Sequence, residues 1–263
     1  MTWETIDFDL EEEGGLALVR LNRPGALNAL DRQMAKDLYE VCERCNEPDV
    51  RAMVLSGAGR AFSAGGDLKE IEARIRAGDR MEEFLWPDYQ KSLAKLHEVR
   101  CPTIAAVHGF AVGAGCDIAL ACDIRLAGAG ASFGQVYSRI GLVPDCGGTF
   151  FLPRVVGSAK ALELILTGDV IDAEAALAIG LVRSVHPDDA LIEEATALGR
   201  KLAGGPSIAL RAAKKLIRAS GGLDVAAALR AEAGAQAETV ASSDFREGIS
   251  AFLEKRKPKF QGK

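Results

Sequence analysis

The chain has 263 residues, of which 48% are hydrophobic, and its formal net charge is -5. A chain of this size and composition can bury a large core and is not disordered, and its acidic balance gives no general attraction for nucleic acid. The acidic start lacks the features of a signal peptide, and no apolar run approaches the roughly 20 residues that span a bilayer. We therefore expect a cytoplasmic protein that contacts neither nucleic acid nor membrane.

The first half of the chain alternates apolar strand patterns, glycine turns and helical patterns. In chain order the pattern predicts a hairpin (residues 5–12 and 16–22), a helix (31–46), a strand (51–57), two helices (67–78 and 81–99, the second broken or kinked at Pro87), a strand (101–109), a short helix (113–122) and a strand (123–128). After about residue 147 the pattern becomes almost wholly helical. This order favours the α/β class, with a largely covered sheet. We predict an α/β core over residues 1–200 and a C-terminal helical region over residues 201–263.

Cysteines and basic residues give no sign of a metal site or of a disulfide framework. Scattered cysteines in apolar surroundings of a long chain are typical of reduced, buried thiols. Cys42 and Cys45 form a C-x-x-C inside the helix over 31–46, but no second pair or nearby histidine completes a zinc set. We predict that they pack on one helix face and that the chain holds no metal. The basic segment 255–263 fits either a solvated tail or a local anion contact.

Two strand ends carry small residues directly before a helix. The first is AFSAGGDLKE after the strand over 51–57, and the second is GFAVGAGCDIAL after the strand over 101–109. Small residues let backbone N–H groups approach a ligand, and two N–H groups that converge on one oxygen form an oxyanion hole. The alternative is that these glycines only permit tight turns. Neither segment completes a dinucleotide motif, and the chain has no P-loop lysine or serine-hydrolase elbow.

Four blocks together carry a resemblance to a known family. They are ALNAL (26–30), FSAGGDLKE (62–70), HGFAVGAGCDIALACDIRLA (108–127) and FGQVYSRIGLVPDCGGTFFLPRVVG (133–157). In their order and spacing the chain resembles the crotonase, or enoyl-CoA hydratase/isomerase, superfamily. The resemblance implies a crotonase-like spiral of ββα units with a C-terminal helical region that forms homotrimers, often paired into hexamers. It implies acyl-CoA thioester substrates and no cofactor other than the coenzyme A of the substrate itself.

By position, the resemblance implies that the N–H groups of Gly66 and Ala114 stabilise a thioester enolate. It also implies a set of substrate-binding residues from three parts of the chain. These are Ala26, Leu27, Asn28, Ala64, Asp67 and Leu68 for pantetheine and adenine, Lys69 for a phosphate, and Phe252 and Lys255 for coenzyme A bound to a neighbouring subunit.

The acid–base positions depart from the hydratase pattern of this superfamily. Hydratases carry two glutamates, and the matching positions here are Asp117 and Tyr137. Aspartate is one methylene shorter, and a phenol with a pKa near 10 is a poor substitute for a carboxylate. Ordinary hydration is therefore disfavoured, and Tyr137 either orients the substrate through its hydroxyl or lines the acyl pocket.

Asp145 offers a different chemistry. On local sequence alone it fits a turn, because it lies between proline and a Cys-Gly-Gly run. However, its position resembles that of the aspartate of dienoyl-CoA isomerases and of the isomerase of phenylacetate degradation. One carboxylate can take a proton from one carbon and return it to another, and the apolar neighbours of Asp145 would raise its pKa.

We therefore predict an enoyl-CoA isomerase in which Asp145 carries the proton, while Asp117 assists, positions water or stabilises its helix. Two alternatives stay open at this point. One is hydration with Asp117 as the acid–base group, and the other is an acyl-CoA- or RNA-binding relative with little catalysis.

Overall fold

The computed structural model describes residues 2–263, which form nine strands and twelve α-helices. The strands are β1 (Ile6–Glu11), β2 (Leu16–Leu21), β3 (Ala52–Gly57), β4 (Thr103–Val107), β5 (Phe110–Val112), β6 (Ile124–Gly128), β7 (Ser132–Gly134), β8 (Val170–Asp172) and β9 (Ser184–His186). The helices are α1 (Arg32–Arg44), α2 (Leu68–Ala77), α3 (Met81–Phe84), α4 (Lys91–Glu98), α5 (Ala114–Ala121), α6 (Gly148–Val156), α7 (Ser158–Thr167), α8 (Ala173–Ala178), α9 (Leu191–Ala203), α10 (Ser207–Ser220), α11 (Val225–Val240) and α12 (Ser243–Leu253).

A six-stranded sheet forms the centre of the molecule, in the order β1-β2-β3-β4-β6-β9. The predicted hairpin is confirmed, because β1 pairs antiparallel with β2, and every later strand of the sheet joins its neighbour in parallel. All residues of β3 and β4 are buried. Continuous apolar strands of this kind belong in the middle of a parallel sheet with both faces covered.

A second, three-stranded sheet has the order β5-β7-β8. The chain passes from β4 in the large sheet to β5 in the small sheet and then into α5, and it repeats this path through β6, β7 and α6. An isolated bridge between Ser63 and Ala111 gives the turn after β3 the same arrangement. The repeated path is the predicted spiral of ββα units, and it brings the ends of β3 and β4 side by side.

Apolar side chains cover both faces of the large sheet. The larger buried cluster contains residues of α1, α4 and α5, and Cys42 and Cys45 lie inside it with no exposed surface. The smaller cluster packs α9 against β2, β3, β4 and β6. All six cysteines are free and buried in the described chain, as the sequence predicted.

One prediction about the second half of the chain needs correction, and the predicted break at Pro87 is confirmed. The region after residue 147 is not almost wholly helical, because β8 and β9 each add a strand of three residues to a sheet. The helix predicted over 81–99 is interrupted as expected, and the interruption is a π-helical turn at Leu85–Gln90 that contains Pro87. Proline has no N–H for an ordinary helical hydrogen bond, so the wider turn accommodates it.

The C-terminal helices α10, α11 and α12 follow the last helix that packs on the sheet. The predicted division at residue 200 falls inside that helix, and the two-part organisation stays a prediction. The basic tail folds back on α12, where Asp244 accepts hydrogen bonds from the N–H groups of Gln261 and Gly262 at 2.7 and 2.8 Å. Across residues 2–263, no helix has the length and apolar character required to cross a membrane.

Candidate active site

An apolar cleft opens where the loop after β3 meets the start of α5. Its wall includes Gly66, Ala114, Tyr137 and Asp145. Within residues 2–263, Asp145 is the only carboxylate that lines it. A mostly apolar pocket with a few polar groups that converge on one region is the usual form of a small-molecule site.

The two glycine-containing loops are in direct backbone contact. Gly65 adopts φ +102°, and a Cβ atom on it would lie 2.9 Å from the carbonyl oxygen of Val112 and 3.6 Å from the amide nitrogen of Ala114. Ser63 donates its N–H to Phe110 at 2.9 Å and accepts from Val112 at 3.2 Å. These contacts fix the loop that carries Gly66 against the first turn of α5.

The N–H groups of Gly66 and Ala114 are both available to a ligand. Ala114 is the first residue of α5, so its N–H has no partner within the helix. In the described part of the chain neither N–H donates to a backbone oxygen outside its own element. Both residues line the cleft, and the N-terminus of α5 adds a partial positive charge there. The predicted pair of donors is therefore brought together, although its catalytic role stays a prediction.

Asp145 lies in the loop between a short 3-10 helix at Val136–Ile140 and α6. The side chain of Gln90 donates to the carbonyl oxygen of Asp145 at 2.7 Å and thereby ties this loop to the π-helical turn. Burial raises the pKa of the Asp145 carboxyl, while hydrogen bonding to the Cys146 thiol and the Tyr137 hydroxyl lowers it. A base whose pKa moves towards neutrality is better matched to proton abstraction from carbon.

Asp117 occupies a different environment. Its residue is fully buried in the first turn of α5 and does not line the cleft. Its carboxylate accepts hydrogen bonds from Tyr137 Oη at 2.7 Å and from Gln135 Nε2 at 2.6 Å. Burial raises the pKa of Asp117 to about 7, against the lowering effect of these two donors. Tyr137 lines the cleft and Asp117 does not, so Asp117 lies behind Tyr137 in this structure.

The remaining predicted binding residues divide into three groups. Ala64 and Leu68 line the cleft together with Tyr137. Adjoining segments hold Ala26, Leu27, Asn28 and Asp67, and Lys69 lies in the first turn of α2. Phe252 and Lys255 are exposed and do not reach the cleft of their own chain.

Two of the residues in the adjoining loops have structural partners of their own. Asn28 is fully buried, adopts φ 54°, and donates to the carbonyl oxygens of Ala58 and Ala61 at 2.9 and 2.8 Å. Asp67 caps α2 and forms an ion pair with Arg23 at 3.1 Å. Their side chains therefore shape the loops in which they lie.

Sequence reasoning did not assign roles to Gln135, Gln90 or Cys146. Gln135 holds Asp117, Gln90 holds the Asp145 loop, and Cys146 lies next to Asp145 in the cleft wall. Gln135 had a signal in the sequence, since it stands in the Phe-Gly-Gln run that carried the family resemblance. Gln90 had none, because its partner lies 55 residues further along the chain.

Comparison with known proteins gives a consistent result along the whole chain. A family model described as enoyl-CoA hydratase/isomerase matches residues 11–263. A probable enoyl-CoA hydratase of Rhodobacter capsulatus is 41% identical over 263 residues, which is all of both chains. The 1,2-epoxyphenylacetyl-CoA isomerase of Escherichia coli is 39% identical over 257 residues, covering 95% of this chain and 97% of the relative. A solved enoyl-CoA hydratase structure from Mycobacterium smegmatis superimposes with a TM-score of 0.90 at 33% identity, covering 98% of this chain and 99% of the other.

Proposed function

The chain belongs to the enoyl-CoA hydratase/isomerase, or crotonase, superfamily, and we propose that this enzyme moves the double bond of an enoyl-CoA thioester. One observation carries the proposal. The carboxylate that lines the cleft beside Gly66 and Ala114 is Asp145, whereas Asp117 is sealed behind Tyr137. The 1,2-epoxyphenylacetyl-CoA isomerase, which is 39% identical, supports an isomerase reaction over hydration.

In the proposed reaction, the thioester carbonyl oxygen accepts hydrogen bonds from the Gly66 and Ala114 N–H groups. Asp145 takes a proton from the carbon between the carbonyl and the double bond of a 3-enoyl-CoA. The C–H electron pair moves into a dienolate whose negative charge lies on the oxygen held by the two N–H groups. Asp145 then returns the proton to the far end of the former double bond and gives the 2-enoyl-CoA. Each N–H donor contributes on the order of 10²–10³ in rate.

We propose that coenzyme A runs from this cleft over the loops that hold residues 26–28 and 67–69. In this proposal, coenzyme A meets backbone groups of Ala26 and Leu27 and the side chain of Lys69, which is exposed. Phe252 and Lys255 do not reach the cleft of their own chain. Their proposed role therefore requires a neighbouring subunit, and a homotrimer or a dimer of trimers would supply one.

A second candidate function is hydration of a 2-enoyl-CoA. It is favoured by the names of several relatives, including the short-chain-enoyl-CoA hydratase of Clostridium acetobutylicum at 38% identity. The pKa of Asp117, raised by burial to about 7, also suits a general acid–base group. The position of its carboxylate behind Tyr137 argues against it, since hydration needs a group in contact with a water molecule in the cleft.

The test is a comparison of 3-enoyl- and 2-enoyl-CoA substrates in deuterated water, with products identified by mass spectrometry and NMR. We expect 3-enoyl-CoA to isomerise and Asp145→Asn to lower the rate by about 10²–10⁴, because the general base is lost. The control is Asp189→Asn, which removes an exposed carboxylate that does not line the cleft. Undiminished isomerisation by Asp145→Asn would rule out the role. Formation of 3-hydroxyacyl-CoA that is lost in Asp117→Asn and kept in Asp145→Asn would establish hydration instead.

A further inference from the structure

A buried hydrogen-bonded pair lies directly behind the cleft. Asp117 is 0% exposed and Tyr137 is 7% exposed, and 2.7 Å separates Tyr137 Oη from Asp117 Oδ2. Gln135 donates to the other carboxylate oxygen at 2.6 Å. Tyr137 lines the cleft and Asp117 does not, so Asp117 acts on the cleft only through the Tyr137 hydroxyl.

The direction of this hydrogen bond depends on which group holds the proton. An ionised carboxylate only accepts, whereas a phenol has one proton and can also accept. With Asp117 ionised, the Tyr137 proton must point at Asp117. With Asp117 protonated on Oδ2, the carboxyl donates to Tyr137 and leaves the phenol proton free to point into the cleft that Tyr137 lines. The bond from Gln135 to Oδ1 is compatible with both states.

The acidic groups around Asp117 and Tyr137 favour a state in which one of the two carboxyl groups, Asp117 or Asp145, keeps its proton. The titratable groups that face the pair are Cys116 on the same helix and Asp145 and Cys146 on the opposite loop, and all three are acids. Two carboxylates that share a poorly hydrated site do not readily ionise together. Asp117 is more deeply buried than Asp145, so the proton is held better on Asp117. Burial, with a smaller contribution from the neighbouring Asp145, raises the pKa of Asp117 to about 7.

We propose that Asp117 is a positioning residue whose proton directs the Tyr137 hydroxyl into the cleft, where the hydroxyl donates a hydrogen bond to a substrate bound beside Asp145. Loss of that proton to solvent turns the hydroxyl to Asp117, and the cleft loses this hydrogen-bond donor. The inference rests on the proposed function for its link to turnover, but the protonation state of Asp117 is independent of any substrate.

The kinetic test is the pH profile of kcat/KM for 3-enoyl-CoA isomerisation. We expect the wild-type profile to fall on the alkaline side with a midpoint near the Asp117 pKa of about 7. Asp117→Asn keeps a donor towards Tyr137 at every pH, so its alkaline limb should move up by about one pH unit or more. Tyr137→Phe removes the hydroxyl, so its kcat/KM should also no longer fall with a midpoint near the Asp117 pKa of about 7. Persistence of that limb in Asp117→Asn would overturn the proposal.

The matched control is Asp37→Asn. Asp37 is another buried carboxylate that accepts from neutral donors, and it lies outside the cleft. We expect its alkaline limb to stay at the wild-type position. Loss of the limb in this variant would show that disturbance of any buried carboxylate is enough, and the proposal would then fail.

A second measurement does not depend on activity. Infrared difference spectra of the ligand-free protein with carbon-13-labelled aspartate detect the carbonyl band of a protonated carboxyl group. We expect this band at about pH 6, its loss by about pH 9, and its presence in Asp145→Asn but absence from Asp117→Asn. Absence of the band from the wild-type protein at about pH 6 would overturn the proposal. A band without isomerase activity would leave the Asp117 assignment standing and remove the proposed function.

Discussion

Asp117 is a carboxyl group held where water cannot reach it, and this position carries a cost in stability. Its pKa is raised by burial to about 7 in the folded chain, against about 3.9 for an unperturbed aspartate in an unfolded chain. Between these two values the folded state holds a proton that the unfolded state has lost. Stability therefore falls as pH rises through this window, and the loss is complete above the folded-state pKa.

At this scale we predict that Asp117→Asn stabilises the protein at alkaline pH. The asparagine oxygen can accept from Gln135 and its NH₂ group can donate to Tyr137, so the hydrogen bonds are kept while the buried charge is removed. The gain in the free energy of unfolding at about pH 8 should be on the order of 1–4 kcal/mol, and it should vanish near pH 4. Denaturant unfolding across this pH range measures it.

Asp37→Asn provides the contrast. Asp37 accepts from Thr5 N at 2.8 Å, Thr5 Oγ1 at 2.7 Å and Gln33 Nε2 at 2.7 Å. An amide there turns one of its N–H groups towards another donor, so we expect a loss of stability of about 1–3 kcal/mol. Equal destabilisation of both variants at about pH 8 would contradict the difference in environment argued for the two carboxylates.

At the scale of whole elements, the site depends on the contact between the loop after β3 and the first turn of α5. Gly115 lies in that turn, and a Cβ atom on it would lie 2.3 Å from the carbonyl oxygen of Ser63. The clash is with backbone, so rotation of a side chain cannot relieve it. Any residue larger than glycine must push the loop that carries Gly66 away from Ala114.

We predict that Gly115→Ala lowers kcat of isomerisation by about 10²-fold, because a displacement of about 1 Å at a catalytic group has an effect of this size. The matched control is Gly221→Ala, since Gly221 has an ordinary φ of -62° and no atom near its Cβ position. Comparison of kcat with the midpoint of thermal unfolding separates displacement of the catalytic N–H groups from a general loss of stability. A Gly115→Ala enzyme with wild-type kcat would show that the two loops need not touch.

Prediction from sequence succeeded for elements with a long pattern and failed for short ones. The strands β3 and β4 and the helix α1 carry continuous or periodic apolar residues, and they lie where the sequence predicted them. The strands β8 and β9 have three residues each, which is too short for a pattern, and pairing with distant strands creates them. Small residues at two strand ends suggested that the two loops could meet, and the family resemblance named Gly66 and Ala114 as the two donors. The burial of Asp117 was not, because it depends on how Tyr137 packs twenty residues away.

On the scale of the whole molecule, the C-terminal helices leave a large apolar surface uncovered. In the described chain α11 has no buried residue, and Phe252 and Leu253 on α12 are 82% and 73% exposed. Ile217 on α10 and Val225 on α11 add to this surface. These side chains lie on neighbouring helices, since α11 packs against both α10 and α12, and exposed apolar groups on such a surface usually mark a contact with another chain. We therefore predict that light scattering will give the mass of three or six chains, in line with closed symmetry.

Mixed oligomers test whether this assembly also completes the active site. One parent carries Asp145→Asn, and the other carries Phe252→Ala with Lys255→Ala. If Phe252 and Lys255 contact coenzyme A on a neighbouring subunit, the second parent should show a KM raised by about tenfold with kcat nearly unchanged. Co-expression of the two chains would then place an intact Asp145 beside an intact Phe252 and Lys255 in part of the clefts.

The hybrid should therefore regain a population of sites with wild-type KM, which neither parent has alone. The control is a mixture of the separately assembled parents, in which every cleft keeps the defect of its own oligomer. If Phe252 and Lys255 instead act on the cleft of their own chain, co-expression gives no rescue, because each cleft then carries one of the two defects. That outcome would show that Phe252 and Lys255 serve the cleft of their own chain and that no neighbouring subunit completes the site.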